Sequence, residues 1–209
     1  QAQAIYDGAP PPSQRDAFDA TETRAIRSDL EVIVGFAAAT HAARSAGGAV
    51  ELASAELRFE TTSDGVPAEV LTKGEVPMMR VVAELMIAAN AATARKIRER
   101  LPSSAFVRRH APPKVDGFDE LAELVAAEGI KLDASSGAAL ARSLDAASAA
   151  AVDPAAATLF RGLATRAMSE AQYVSTGAAP PADGGGFGHY GLALDLYTHF
   201  TSPIRRYAD

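Results

Sequence analysis

The sequence predicts a helix-rich α+β fold, and three observations carry that expectation. Apolar residues recur at three- and four-residue spacing over most of the 209 residues, the period of a helix with one face on a core. Alternation of apolar and charged residues, the mark of a strand, is strongest near 50–71, with a lesser extended stretch near 189–197. Much of the 48% apolar fraction is alanine, which buries little area per residue, so the helices must pack closely.

Each element has its own signal. The opening "GAPPPS" cannot stay helical, and residues 1–18 read as a linker or loop ahead of the domain at 19–209. From about Asp19 to Ser45 the pattern is helical: Thr21 can cap the start, Ile26, Leu30, Ile33, Val34 and Ala37 share a face, and Gly47-Gly48 ends it. "AELRFETTSDGVPAEVL" reads as a hairpin, with "SDG" as its turn. Residues 77–101 give the clearest helix, with Val82, Leu85, Met86, Ala89 and Thr93 as its apolar stripe and cations in its last turns, as the helix dipole prefers. Glu84 and Asn90 interrupt this small-residue segment. "RRHAPP" reads as a loop, and "FDELAELVAAEG" as a short helix stopped by Gly129. Ser135 or Ser136 can cap the next helix, which turns Leu140 and Leu144 inward. Asp153-Pro154 opens a last long helix through Leu159, Leu163, Ala167 and Ala171 to about Thr176, before the loop "GAAPPADGGG".

Composition narrows the function classes. There is no cysteine, which removes disulfides and thiolate metal sites. No apolar run is long enough to span a membrane. The first residues lack a secretory pattern and an initiator methionine, so the chain is expected to be part of a longer polypeptide. A net charge of −6 argues against coating nucleic acid by bulk charge. Local charge differs: Arg95, Lys96, Arg98, Arg100, Arg108 and Arg109 are opposed only by Glu99. That patch suits either a confined anionic ligand or a solvated helix end.

The chemistry concentrates at the end. Residues 187–207 hold Phe187, Tyr190, Tyr197, Phe200 and Tyr207, five of the thirteen aromatics, and His189 and His199, two of the four histidines. In "HFTSPIRRYAD", Ser202-Pro203 has the form of a helix cap followed by proline, which places Arg205 and Arg206 in a first turn. Cations there cost about 0.3–1 kcal/mol each against the helix dipole. Two guanidinium groups beside free backbone N–H groups make a phosphate site; the alternative is pairing of either arginine with Asp209 or with another carboxylate. The surrounding aromatics suit base stacking at about 1–3 kcal/mol per base, and are equally good core material.

"HYGLALDLYTHFTSPIRRYAD" resembles the signature of the RNase II family, hydrolytic 3′-to-5′ exoribonucleases built on an RNB catalytic domain. The resemblance extends upstream through "LATRAMSEAQYVSTG", "ASSGAALARSLDAA", "VRRHAPP", "VAELMIAANAATARKI" and "GAVELASAELRFE", so it covers nearly the whole chain. Order and spacing are most similar to the eukaryotic Dis3/Rrp44 branch, the catalytic subunits of the RNA exosome. The resemblance implies that residues 19–209 are the second half of an RNB domain. It further implies hydrolysis of single-stranded RNA from its 3′ end to nucleoside 5′-monophosphates, in the nucleus and cytoplasm, with exosome core subunits as partners. By position in the motif, Arg205 matches the family's catalytic arginine and Arg206 a neighbouring basic position. Glu84 matches an acidic position that contacts ribose hydroxyls; its other reading is a surface pair with Arg80. Arg108, Arg109 and His110 are implied RNA contacts, and His189, Tyr190, His199 and Thr201 architecture around Arg205. The family's Mg²⁺ is held by an aspartate cluster expected upstream of this chain, since no such cluster occurs in it. The rival expectation is an inactive RNB relative that binds RNA or partners only.

Overall fold

The structure, a computed structural model, describes residues 2–9, 18–50, 57–61, 67–72, 76–178 and 183–206. Among them the elements run α1 (Ala2–Asp7), α2 (Ala20–Ala46), β1 (Leu57–Thr61), β2 (Pro67–Thr72), α3 (Pro77–Arg100), β3 (Phe106–Arg109), α4 (Asp119–Ala127), α5 (Gly137–Ala150), α6 (Pro154–Ala167) and β4 (Gln172–Ser175). Three short 3₁₀ turns, at Val115–Phe118, Tyr190–Leu192 and Pro203–Arg205, complete them. The helix-rich α+β expectation holds. No helix among the described residues is long and apolar enough to cross a membrane.

The chain divides into two compact units, Gln1–Ala43 with Gly74–Ala88, and Arg44–Lys73 with Ala89–Asp209. In the first, α1 forms where the sequence reads as loop, and the proline-rich residues after it lie outside the described ones. Gln3 Oε1 accepts from the Met78 N–H (2.9 Å), which ties α1 to the start of α3. α2 is capped by Asp19 rather than Thr21: Asp19 Oδ1 accepts from the N–H groups of Thr21 (2.7 Å) and Glu22 (2.8 Å), and Glu22 Oε2 accepts from the Asp19 N–H (3.0 Å). Three backbone donors are thus satisfied, with Asp19 and Glu22 capping each other reciprocally.

The second unit holds the core. Leu121 and Val125 from α4, Leu140, Leu144 and Ala147 from α5, and Phe160, Leu163 and Ala164 from α6 interlock with Val50, Phe118 and Met168. Each large side chain buried there contributes about 1.5–3 kcal/mol. Ser136 caps α5, its Oγ accepting from the Ala139 N–H at 3.2 Å, and Gly129 ends the α4 region at φ +75°. The hairpin is present as β1 against β2, antiparallel, with Leu57 opposite Thr72; its "SDG" turn lies outside the described residues.

Two departures shape the site. The last long helix ends at Ala167, and Gln172–Ser175 instead form β4, antiparallel to β3, with Arg108 opposite Tyr173. Alanine periodicity carries on through Ala171 without a stop signal, but Tyr173 and Val174 are strand formers and gain a partner in β3. Arg108 and Arg109 of "RRHAPP", read as loop, are therefore strand, and His110 follows as an isolated bridge. Conversely, 189–197 is no strand: it makes isolated bridges, one 3₁₀ turn, and a left-handed Ala193 (φ 51°). It still lies along β3, since the Arg108 N–H donates to Tyr197 O (2.7 Å), the His110 N–H to Gly188 O (3.0 Å) and the Tyr190 N–H to His110 O (3.0 Å).

Candidate functional site

α3 carries the first surprise. Its inward positions are Glu84, Asn90, Ala91 and Ala94, whereas Val82 from the expected stripe is 50% exposed. Small residues allow close approach, and the two polar residues are tolerated because each is bonded. Glu84, in the first unit, is only 4% exposed; His41 Nδ1 lies 3.1 Å from its Oε1. Both line a cleft of about 240 Å³ with Val34, Ala37 and Arg80, so Glu84 is not a surface residue.

The other candidates belong to the second unit. Asn90 is 1% exposed and makes three bonds: Nδ2 donates to Tyr197 Oη, and Oδ1 accepts from the N–H groups of Phe200 and Thr201, all at 2.9 Å. Beyond Thr201 the expected α-helix is a three-residue 3₁₀ turn, Pro203–Arg205, with residues 207–209 outside the described ones. Ser202 does not cap it, because its own φ is +64° and its side chain accepts no capping bond. The turn is too short to supply a helix-terminus anion site, so any anion recognition here falls to the guanidinium groups themselves. Arg205 is exposed, with Nη2 3.4 Å from Ser202 Oγ. Arg206 is half-buried and Nη1 donates to Thr201 O at 2.9 Å.

Around β3 the three basic candidates part company. Arg108 is half-buried, its guanidinium 5.2 Å from the centre of the Tyr173 ring, on which Phe106 stacks at 5.1 Å and 6°. Phe106 remains 42% exposed, so a flat aromatic and cationic surface faces outward. Arg109 and His110 instead turn into protein, at 6% and 5% exposure. Arg109 bonds Gly186 O and pairs with Asp183, and that guanidinium holds the Asp183 carboxyl below its usual range. His110 Nδ1 accepts from the Gly191 N–H at 3.0 Å, and burial pushes its pKa down. Both residues therefore have structural work that the sequence did not reveal, because burial is not written in residue type.

An edge-to-face chain of rings, His110–His189–Tyr197–His199–Tyr173, with centroid steps of 5.0–5.8 Å, links β3 to the closing segment. His199 Nδ1 sits 2.6 Å from Tyr173 Oη. Burial, then the neighbouring His110 and Arg108, push the His189 pKa down to about 3. These ring contacts set His110, His189 and His199 in the packing between β3 and the closing segment. Of the upstream basic patch, Arg98 lies over the Phe187 ring at 5.3 Å and Lys96 pairs with Glu99, so it is partly a set of local contacts. No group of three or more His, Asp or Glu side chains among the described residues could hold a metal, so a divalent ion does not fit this set.

Comparison with known proteins places this arrangement. The chain is 36% identical over 192 residues to a Caenorhabditis elegans protein named probable exosome complex exonuclease RRP44, matching 91% of this chain and 20% of that protein. It is 40% identical over 166 residues to the Schizosaccharomyces pombe exosome complex exonuclease dis3, 78% of this chain and 16% of that one. The chain thus spans about a fifth of the length of these relatives. In structure it resembles Mycoplasma genitalium RNase R in complex with ribose-methylated single-stranded RNA, at TM-score 0.72 and 21% identity, over 93% of this chain and 29% of that one. Yeast Ssd1, titled a pseudonuclease, shares the fold at TM-score 0.65 and 20% identity, over 100% of this chain and 23% of that one. The RNB domain family matches residues 1–209 in full, and the chain belongs to that family.

Proposed function

We propose that the protein carrying this chain is a hydrolytic 3′-to-5′ exoribonuclease that releases nucleoside 5′-monophosphates from single-stranded RNA. In this reading the second unit supplies phosphate recognition and the first unit, by itself, a ribose contact. The observation that carries it is Arg205: an exposed guanidinium on a turn whose preceding backbone is held by two hydrogen bonds to the buried Asn90 side chain. Such a group meets the scissile phosphate without reorganising. As water adds to phosphorus and the bond to the leaving 3′ oxygen breaks, charge grows on the non-bridging oxygens, and Arg205 donates to them. Arg206, tied to Thr201 O, lends a second positive charge nearby. Arg108, with the Phe106–Tyr173 stack, gives bases a surface. Glu84 accepts from a ribose 2′-OH, a donor that DNA lacks.

The metal that family resemblance implies, Mg²⁺, finds no holding group among the described residues, and no step above passes through it. The likeness to named exosome exonucleases supports exosome core subunits as partners and work in the nucleus and cytoplasm. The test is Arg205→Ala in the full-length protein. Single-turnover cleavage should slow by roughly 10²–10³-fold, as for other lost donors to a developing oxyanion, with RNA affinity nearly unchanged. Collapse of binding with an intact rate would make Arg205 an anchor instead. Because the fold also occurs in a chain titled a pseudonuclease, a second reading remains: an RNA-binding scaffold. Full-length protein that binds RNA with Mg²⁺ present and releases no nucleotide would establish it.

A further inference from the structure

We propose that Asn90 is the positioning residue for Arg205, acting through the backbone of Phe200 and Thr201. The proposal rests on the catalytic reading of Arg205 above. A primary amide in the middle of a helix of alanines is a poor choice for stability: its helix propensity is low, and burying it unpaired costs several kcal/mol. Here it is 1% exposed, and every bond it makes is to the closing segment, more than 100 residues away in sequence.

The geometry sets the amide's orientation. Phe200 N–H and Thr201 N–H can only donate, so the atom between them is Oδ1, and Nδ2 must then face Tyr197 Oη as donor. Two consecutive backbone N–H groups converge on one acceptor only where the chain is turning, because in a strand they point to opposite sides. Asn90 therefore holds the turn that leads into Ser202, a non-glycine residue in the left-handed region at φ +64°. Arg206 closes the same turn by donating to Thr201 O at 2.9 Å. Three residues separate Thr201 from Arg205, too few for the guanidinium's base to wander once the turn is held. Helix α3 is the rigid element, Asn90 the tie, and Arg205 the group placed.

The experiment uses full-length protein. Asn90→Leu keeps the volume and removes all three bonds; Asn90→Ala is read the same way if leucine prevents folding. The expected result on single-stranded RNA is a fall in kcat of about 100-fold, the scale of a misplacement near 1 Å, with KM little changed. Asn90→Asp should recover most of that loss, because a carboxylate accepts from both N–H groups and from the Tyr197 hydroxyl. In the Arg205→Ala background, Asn90→Leu should cost less than about threefold, since the group it places is gone. Full additivity of the two losses, or an aspartate variant as slow as leucine, overturns the proposal. Hydrogen exchange provides a readout free of activity: protection of the Phe200 and Thr201 amides should fall at least about tenfold in Asn90→Leu while the α5 and α6 amides hold. Unchanged protection there overturns the tie. If instead Arg205→Ala leaves cleavage intact, the catalytic reading fails, and exchange still decides whether Asn90 holds the turn.

Discussion

A half-buried imidazole shows how far one residue's behaviour depends on its surroundings. His189 faces His110, Arg108 and His199, and its pKa is pushed down from 6.5 to about 3, chiefly by burial. The folded state thus binds its proton only near pH 3, while the unfolded chain binds it near pH 6.5. Between those values the unfolded state holds more protons, so stability declines as pH falls through the window, by about 1.4 kcal/mol per pH unit for one such group. His110, also lowered, adds to the slope with the same sign. Denaturant titrations at pH 7, 6, 5 and 4 should show this decline, and His189→Gln should flatten it; an identical slope in the variant would refute the assignment. At this scale the sequence was legible in part. Glu84 and Asn90 stood out as polar interruptions, but only coordinates show that both face inward and with which partners. Arg109 and His110 looked equal to Arg108 in sequence and differ in burial.

Elements are set by local signals where those signals are unopposed. A serine cap at 135 or 136, the Gly129 stop and the inward Leu140 and Leu144 of α5 could all be read in advance. β3 and β4 could not, because four-residue strands carry too little pattern and become strands only by finding each other. The start of α5 depends on a similar distant match. A Cβ on Gly137 would lie 2.3 Å from Gly48 O, and one on Gly48 would lie 2.7 Å from Ala138 N, with Gly48 also at φ +96°. Two backbones touch where side chains would separate them. Gly137→Ala should therefore destabilise the second unit by about 1–3 kcal/mol, the usual cost of overpacking. Gly162→Ala, mid-helix in α6 with open space around its Cβ position, should stabilise by roughly 0.5–1 kcal/mol. Thermal melts of the two variants test the pair, and equal shifts of one sign would contradict the close-approach argument.

For the whole molecule, the question is what these 209 residues can do alone. Their acidic side chains form no metal-holding group among the described residues, while Arg205 is exposed and its backbone held. The purified chain given Mg²⁺ and single-stranded RNA is expected to release no nucleoside 5′-monophosphate. Nucleotide appearing at a rate that Arg205→Ala abolishes would show that the chain carries a complete catalytic site.

By itself the sequence determined the family, the helical character, most helix starts and stops, and the chemistry gathered between Phe187 and Arg206. These follow from short-range rules of capping, period and motif that neighbouring residues already contain. Tertiary structure alone decided that β3 and β4 form, which of three adjacent basic residues stays outward, and how Arg205 is held. Those outcomes depend on contacts between segments about 65 to 110 residues apart, such as Asn90 with Phe200 and Arg108 with Tyr173. No local pattern encodes such a meeting, because burial and pairing are properties of the packed chain.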